Sequence, residues 1–204
     1  MKRFFSTIIA ILAVTNGLYA QDGFEARSGS IHPKNEVSIS CGTLSLPHCA
    51  FIFAGIVGTT ISGGMVKATD ISTGGAVGLE YMRYLNRHIA VGGTYVGEKV
   101  SMTVESYDKK DENGNVIYKQ GDAVLNNYVT LMPSVRLPWF YRDHFSMYTS
   151  LAAGVCANLS DKSAFLAFQV NPVGMEIGGG NVRAFAEAGF GMKGLVTGGA
   201  RIAF

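Results

Sequence analysis

Charge is the scarcest property of this sequence. Only 16% of its 204 residues are Asp, Glu, Lys or Arg, whereas globular proteins average about 25%. Seven of those charged residues fall in one segment, 108–122, which leaves the rest of the chain poorer still. A soluble antiparallel sheet needs a polar outer face, and this sequence lacks the residues to build one.

Strong net charge and a cysteine framework are also missing. The net charge is +2, and no basic patch is interleaved with aromatic residues, which argues against a nucleic-acid partner. The three cysteines, Cys41, Cys49 and Cys156, are odd in number and irregularly spaced. They predict neither a disulfide framework nor a metal site, and we expect buried thiols with at most one bridge. We predict no cofactor.

The first residues have the order of a secretory signal peptide. Lys2 and Arg3 precede an apolar run, 4–14, and small residues follow up to Ala20. This order predicts cleavage after Ala20, so residues 1–20 are a signal peptide and the mature chain is exported. Its first cysteine lies far from that junction, so we expect no lipidated N-terminus.

A period of two runs through the chain from Asn35 onward, which indicates β-strands. Eight such segments are separated by turn-forming residues, and they are 35–45, 70–86, 88–107, 122–141, 144–158, 164–178, 181–192 and 195–204. A transmembrane strand needs about 9–11 residues, and short connections alternate with longer ones as in outer-membrane barrels. The sequence therefore predicts an all-β, eight-stranded antiparallel up-and-down transmembrane β-barrel over residues 35–204, after a periplasmic segment, 21–34.

In most of the predicted strands, one face can be followed that carries no charge. On the fourth strand, Val129, Leu131 and Val135 share the outward phase. Trp139 and Tyr141 continue that phase at a short-turn end, where the aromatic girdle of a barrel meets the lipid headgroups. The alternative for these aromatic residues is an ordinary cluster in a soluble core.

The other face holds seven charged residues and is predicted to point into the barrel. An eight-stranded barrel has an interior just wide enough to be filled by side chains. Four glutamates and three arginines share this phase, namely Glu80, Glu98, Arg136, Glu176, Arg183, Glu187 and Arg201. Buried charges must be paired, so we interpret them as an interior charge network that plugs the barrel. A water-conducting ion path and a catalytic site are the alternatives.

Two segments depart from simple alternation. The apolar phase slips near Pro172, and since proline cannot donate to a sheet, we predict a β-bulge there. Residues 49–65 carry no charge and do not alternate. We predict a short helical or irregular piece that caps the barrel mouth or lies at the bilayer surface, with a spanning helix as the alternative.

The last hairpin allows a prediction of register. If Met192 and Val196 both face lipid, the shortest loop is residues 193–195. Glu187 would then lie directly opposite Arg201, both facing inward and close enough for a charge-assisted hydrogen bond.

Catalytic motifs are weak in this sequence. Gly189, Gly191 and Gly194 spell G-x-G-x-x-G, but they fall at a strand-to-strand turn, where no helix N-terminus holds a phosphate. His88 and His144 belong to short turns, at the end opposite the outer leaflet, where a lipid hydrolase does not need them. We therefore predict a protein that is not an enzyme.

Three stretches carry a resemblance to a known family. They are "NEVSISCGTLS", "GAVGLEYMRYLNRHIAVGG" and "FQVNPVGMEIGGGNVRAFAEAGFGMKGLVTGGARIAF". The chain resembles the small outer-membrane β-barrel proteins of Bacteroidetes, related in architecture to the OmpA transmembrane domain and OmpX. The resemblance implies that Ile202 and Phe204 form the terminal signal read by the barrel-assembly machinery. It implies no active site.

The expected function follows from these features. We expect a non-enzymatic outer-membrane barrel with a structural or surface-interaction role through its outer loops, 46–69 and 108–121. Its partners would be outer-membrane lipids and, during biogenesis, the barrel-assembly machinery, while the sequence names no surface ligand. A narrow pore or small-solute channel is the main alternative, and an enzyme acting on outer-leaflet lipids is the third.

Overall fold

The structure, a computed structural model, describes residues 35–63, 65–110, 116–142 and 144–204. The predicted signal peptide, 1–20, and the predicted periplasmic segment, 21–34, lie outside the described residues.

One antiparallel sheet of nine strands makes up most of the described chain. In chain order the strands are β1 Asn35–Thr43, β2 Val66–Thr73, β3 Ala76–Asn86, β4 Ile89–Lys110, β5 Val116–Arg142, β6 Phe145–Asn158, β7 Ser163–Gly179, β8 Val182–Gly191 and β9 Val196–Ala203. The first strand pairs with the last, and β4 pairs with β5, so the sheet closes on itself. The predicted eight-stranded antiparallel barrel is confirmed, with β2 and β3 sharing one of the eight positions.

Two glycines divide the strand that was predicted over 70–86. β3 pairs with β4 up to Gly97, and β2 pairs with β4 from Val100 outward. Between them, Gly74 donates its amide to Lys99 O at 3.2 Å, and Gly75 has φ 79°. That left-handed conformation suits glycine, so the chain changes direction here without leaving β4.

The two ends of the barrel are built differently. At one end, which we call the short-turn end, residues 87–88, 143–144 and 180–181 connect the strands, and Phe204 O accepts a hydrogen bond from Asn35 N. At the other, the long-loop end, three strands continue past the rest of the barrel. We call this part the extension; it consists of β2, residues 99–110 and residues 116–127.

The bulge predicted at Pro172 is confirmed. The register of β7 against β8 shifts between Val170 and Val173. The freed carbonyl of Pro172 accepts a hydrogen bond from Thr149 Oγ1 at 2.8 Å. The extra residue restores the outward phase in the second half of β7.

A second bulge, which the sequence pattern did not predict, lies near the end of β5. The register of β5 against β6 shifts between Pro138 and Phe140. As a result Trp139 and Phe140 are both exposed on the outer face, and Tyr141 turns inward, where it hydrogen-bonds to Tyr84. The assignment of Tyr141 to the aromatic girdle is therefore wrong, because one extra residue reverses the alternation.

The register of β8 against β9 also differs from the prediction. Glu187 lies opposite Thr197, and Arg201 lies opposite Arg183. The predicted pairing of Glu187 with Arg201 across the hairpin is wrong, because β8 and β9 stop pairing at Ala188 and Val196, which leaves seven residues, 189–195, between the paired positions instead of three.

The conformation of this turn explains its length. Gly191 has φ 141° and Gly194 has φ 108°, values that only glycine adopts without strain. They turn both Met192 and Lys193 into the barrel, where each is almost fully buried.

The single helix in the described part of the chain, α1 (Leu46–Ile61), follows β1 directly. The Ser45 hydroxyl accepts a hydrogen bond from His48 N at 3.2 Å, which is an N-cap arrangement. Pro47 stands in the first turn, where its missing amide costs nothing. Ser62 ends the helix, and the positive φ of Gly63 redirects the chain toward β2.

The helix lies over the long-loop end of the barrel. Gly55 is buried against the side chains of Ala68, Ile71 and Met102, and Met102 follows the inward phase of β4. The prediction that this segment is helical is thus confirmed, and the helix packs against the extension. In the described part of the chain, no helix has the length and apolar character needed to cross a membrane.

Candidate functional site

The barrel exposes apolar side chains on its outer face and buries polar side chains in its interior, the reverse of a soluble protein. Leu79 is 53% exposed and its neighbour Glu80 only 7%; Leu131 is 51% exposed and its neighbour Thr130 only 1%. The same alternation holds along most of the barrel strands, so apolar side chains face outward and polar side chains fill the interior. The candidate functional features are therefore the charged interior and the two rims.

Arg136 on β5 joins two glutamates from strands that do not pair with β5. Its Nη1 lies 2.7 Å from Glu36 Oε2 on β1, and its Nη2 forms a salt bridge with Glu80 on β3. The guanidinium also lies 4.8 Å from the ring centroid of Tyr148. A planar, permanently charged fork suits such a double contact better than a lysine would.

Lys193 forms the second junction of the interior. Its Nζ lies 2.5 Å from Glu187 Oε2 and 3.3 Å from Glu80 Oε2. Glu187 also accepts hydrogen bonds from Tyr148 Oη at 2.8 Å and from Asn171 Nδ2 at 2.9 Å. The buried carboxylate is thus fully bonded, which is the condition for burying charge without a large cost.

Glu176 forms the third junction, near the short-turn end. Its Oε1 accepts a hydrogen bond from Arg183 Nη1 at 2.6 Å, and its Oε2 forms a salt bridge with Arg201. Arg201 Nη2 donates to Tyr148 Oη at 2.8 Å. Since Tyr148 donates in turn to Glu187, one tyrosine links this junction to the second.

Glu98 stands apart from these junctions. It is buried in the long-loop mouth and forms no ion pair with any described residue. Its carboxylate instead accepts hydrogen bonds from the hydroxyls of Ser45, at 2.5 Å, and Thr73, at 3.1 Å. Glu98 therefore fixes the start of α1 and the end of β2 to the barrel.

Six of the seven charged residues predicted to face inward meet in the three junctions, and the structure adds Glu36 and Lys193 to them. Glu36 shares the phase of Ser38 and Ser40, so the sequence pattern contained the signal for its inward position. Lys193 had no such signal, because it lies in a turn. The described interior then holds five glutamates and four cationic residues.

An apolar layer separates the charged interior from the long-loop end. Buried residues from five strands and from the turn after β8 form it, and they are Ala76, Val96, Met132, Cys156, Ala167 and Met192. Leu46, at the start of α1, packs against this layer. Below it, an internal cavity bordered by Glu80, Thr94, Ser134 and Lys193 has a volume of about 10 Å³, near the minimum that one water molecule needs.

The described residues contain no disulfide and no cluster of metal ligands. Cys41 is exposed on the outer face, Cys49 is half-buried in α1, and Cys156 is buried in the apolar layer; all three are free thiols. Within residues 35–204, the described histidine, cysteine and acidic side chains form no cluster of three that could hold a metal ion.

The predicted rim and terminal residues lie on the outer face, apart from Tyr141. Trp139 is 55% exposed beside Phe140. Ile202 and Phe204 are also exposed, and β9 pairs along β1, with Ile202 opposite Val37.

Comparison with known proteins adds no relative to this description. No protein-family model, curated protein or solved structure matches the chain. What the structure shows is a closed eight-stranded antiparallel β-barrel, an architecture consistent with that of OmpA and OmpX.

Proposed function

We propose that this chain is an integral outer-membrane β-barrel of a Gram-negative bacterium, of the Bacteroidetes type that its sequence resembles. The observation that carries the proposal is the inverted polarity of the closed barrel. Large apolar side chains such as Ile39 and Leu79 stay exposed around it, while Arg136 and Arg201 are buried inside. Water would penalise that arrangement, whereas a bilayer favours it.

The backbone supports the same proposal. A bilayer offers no hydrogen bonds to an open sheet edge, so only helices and closed barrels span it. The pairing of β1 with β9 closes this barrel. Outer-membrane lipids are then the main partner of the outer face, and the exposed Ile202 and Phe204 are available to the barrel-assembly machinery during insertion.

We assign the short-turn end to the periplasm and the long-loop end to the cell surface. Short periplasmic turns and long outer loops are the usual pattern in such barrels. Export by the signal peptide, residues 1–20, precedes insertion in this scheme. The extension and α1 would then be the parts presented outside the cell.

A structural or surface-interaction role, without catalysis, is the function that these features support best. The surface offered for interaction includes apolar side chains of α1, since Phe53, Ile56 and Ile61 are exposed. The pore alternative finds less support, because the apolar layer and the three ion-pair junctions fill the described interior.

Fractionation and surface proteolysis test this proposal. The protein should partition with outer membranes, with an N-terminus at or near Gln21 by mass spectrometry. Trypsin added to intact cells should cut at Lys119 in the extension, and at Arg87 in a short turn only after lysis. Recovery in a soluble fraction, or cleavage at Arg87 in intact cells, would contradict the proposal or its orientation.

Conductance measurements distinguish a barrel with a closed interior from a small-solute channel. In planar bilayers the folded protein should show no current steps above those of the lipid alone. Reproducible steps from the inserted, folded barrel would favour the small-solute channel.

A further inference from the structure

A recess at the short-turn end is lined by two arginines together with a histidine, a serine and one acid. It lies where the β5–β6 and β7–β8 connections meet, and His144 O accepts a hydrogen bond from Gly178 N there at 3.1 Å. The residues that line it are Arg142, His144, Phe145, Ser146, Glu176, Gly178 and Arg183. The recess shares Glu176 and Arg183 with the third ion-pair junction, and its other lining residues belong to none of the junctions.

Among the described residues that line this recess, two arginines face a single acid. Its one described acid, Glu176, is already engaged by Arg183 on one carboxylate oxygen and by Arg201 on the other. Arg142 and His144 remain exposed at its edge. Asp143, which stands between them in the sequence, lies outside the described residues.

A hydrogen-bond donor in the lining lacks an acceptor. Arg183 Nη1 donates to Glu176, but the buried Nε of Arg183 has no hydrogen-bond partner among the described residues. The Nε atoms of Arg136 and Arg201 share this property, although neither residue lines the recess. A buried donor without an acceptor is costly, but arginines outside the recess share this property, so the attraction of the recess for an anion rests on the charge of Arg142 and Arg183.

An apolar surface begins directly beside the recess. Phe145 lies opposite Ile177 on the outer face, and Ile177 is 62% exposed. The ring of Phe140 packs edge-on to that of Phe145, with centroids 5.9 Å apart, and the Arg142 guanidinium lies 5.8 Å from the Phe140 ring. Cationic and apolar groups therefore adjoin along one side of the barrel.

We propose that this recess binds the phosphate of a glycerophospholipid whose acyl chains lie along Phe145 and Ile177. The inference rests on the proposed membrane location and names one lipid site within it. Arginine binds phosphate oxygens through two parallel N–H groups. A free phosphate would use only the cationic half of the site, whereas a phospholipid also contacts the apolar half.

The test uses the folded mature chain in detergent micelles and native mass spectrometry. The probes are phosphatidylglycerol and a diacylglycerol with the same acyl chains, which lacks the phosphate. We expect phosphatidylglycerol to remain bound and diacylglycerol to be lost. Arg142→Gln should lower the bound fraction about fivefold, because a charge-assisted hydrogen bond is removed, and Arg142→Lys should restore part of it.

Arg87→Gln is the matched control, since it removes the same charge from a different short turn. It should bind phosphatidylglycerol as the unaltered chain does. Equal losses in both variants would overturn the defined site in favour of general attraction to the basic rim. Retention of diacylglycerol, or full displacement by inorganic phosphate, would overturn it as well.

A separate measurement keeps the two proposals apart. Insertion of each variant into phospholipid vesicles is measured as the protection of the barrel strands from added protease. Insertion without lipid retention would remove this inference and leave the proposed membrane location standing. Failure of the unaltered chain to insert would instead count against the membrane location itself.

Discussion

Lys193 Nζ lies 2.5 Å from Glu187 Oε2, although Lys193 belongs to the turn that follows β8. A turn at the mouth of a barrel would ordinarily point its lysine into solvent. Here the glycine conformations at Gly191 and Gly194 fold the turn inward. The long-loop end of the β8–β9 hairpin is therefore part of the interior packing.

Replacing Lys193 by methionine should destabilise the barrel. Met would fill a similar volume but leave Glu187 and Glu80 with one cation fewer in a buried site. Breaking a buried ion pair costs about 3–5 kcal/mol, and here less, because Glu80 retains Arg136 and Glu187 retains two neutral donors. The measurement is urea unfolding of the barrel refolded into phospholipid vesicles.

Lys119→Met is the control for this prediction, because Lys119 is exposed in the extension. Its unfolding free energy should match that of the unaltered chain. If Lys193→Met and Lys119→Met unfold at the same urea concentration, the inward position of Lys193 contributes no stability.

The interaction of Glu187 with Arg201 should depend on Tyr148. The two charged groups lie 4.0 Å apart, and the Tyr148 hydroxyl bridges them with two hydrogen bonds of 2.8 Å. A double-mutant cycle of Glu187→Gln and Arg201→Gln should show coupling, since residues in one network are not additive. The coupling should fall when the cycle is repeated in Tyr148→Phe. Coupling of unchanged size would mean that the charges interact directly.

The barrel was predictable from the sequence because its signal is repeated. Each strand has a period of two, and eight strands repeat the same contrast between an uncharged outer face and a polar inner face. A single slip such as the one at Pro172 stays visible against so regular a pattern. The division of one strand at Gly74 and Gly75 was not visible in the sequence pattern, since both parts still pair with β4.

The errors in the interior and at the rim have a common physical cause. Alternation predicts which way a side chain points only while no extra residue is inserted in the strand. The bulge after Pro138 therefore turned the Tyr141 side chain inward instead of outward. In a turn, the direction of a side chain depends on the backbone dihedral angles and not on whether its position is odd or even. The inward position of Lys193 was therefore not predicted. The β8–β9 register failed for the same reason, since loop length fixes which residues lie opposite each other.

An arginine on the outer face should destabilise the barrel but have little effect in the extension. Leu131 is exposed on a part of β5 that pairs with both β4 and β6, whereas Ile117 is exposed near the tip of the extension. Arginine at the midplane of a barrel costs about 2–4 kcal/mol. Leu131→Arg should therefore lower the unfolding free energy in vesicles by about that amount, and Ile117→Arg should leave it nearly unchanged.

Equal tolerance at the two positions would mean that Leu131 does not contact lipid. Folding of Leu131→Arg in detergent provides a further check, because a micelle adapts around a charge more easily than a bilayer does. The defect should be smaller in micelles than in vesicles.

The start of α1 should loosen when Ser45 is replaced by alanine. The Ser45 hydroxyl caps the helix through His48 N and donates to the buried carboxylate of Glu98. Losing an N-cap costs about 1 kcal/mol, and Glu98 would keep only the Thr73 hydroxyl as a donor. Amide hydrogen exchange in α1 should therefore accelerate about tenfold or more, while exchange in β6 and β7 stays unchanged.

Thr60→Ala is the control, because it removes a hydroxyl that bonds only within the helix. Hydrogen exchange in α1 should change little in this variant. If both variants accelerate α1 equally, the contact with Glu98 does not hold the helix over the barrel mouth.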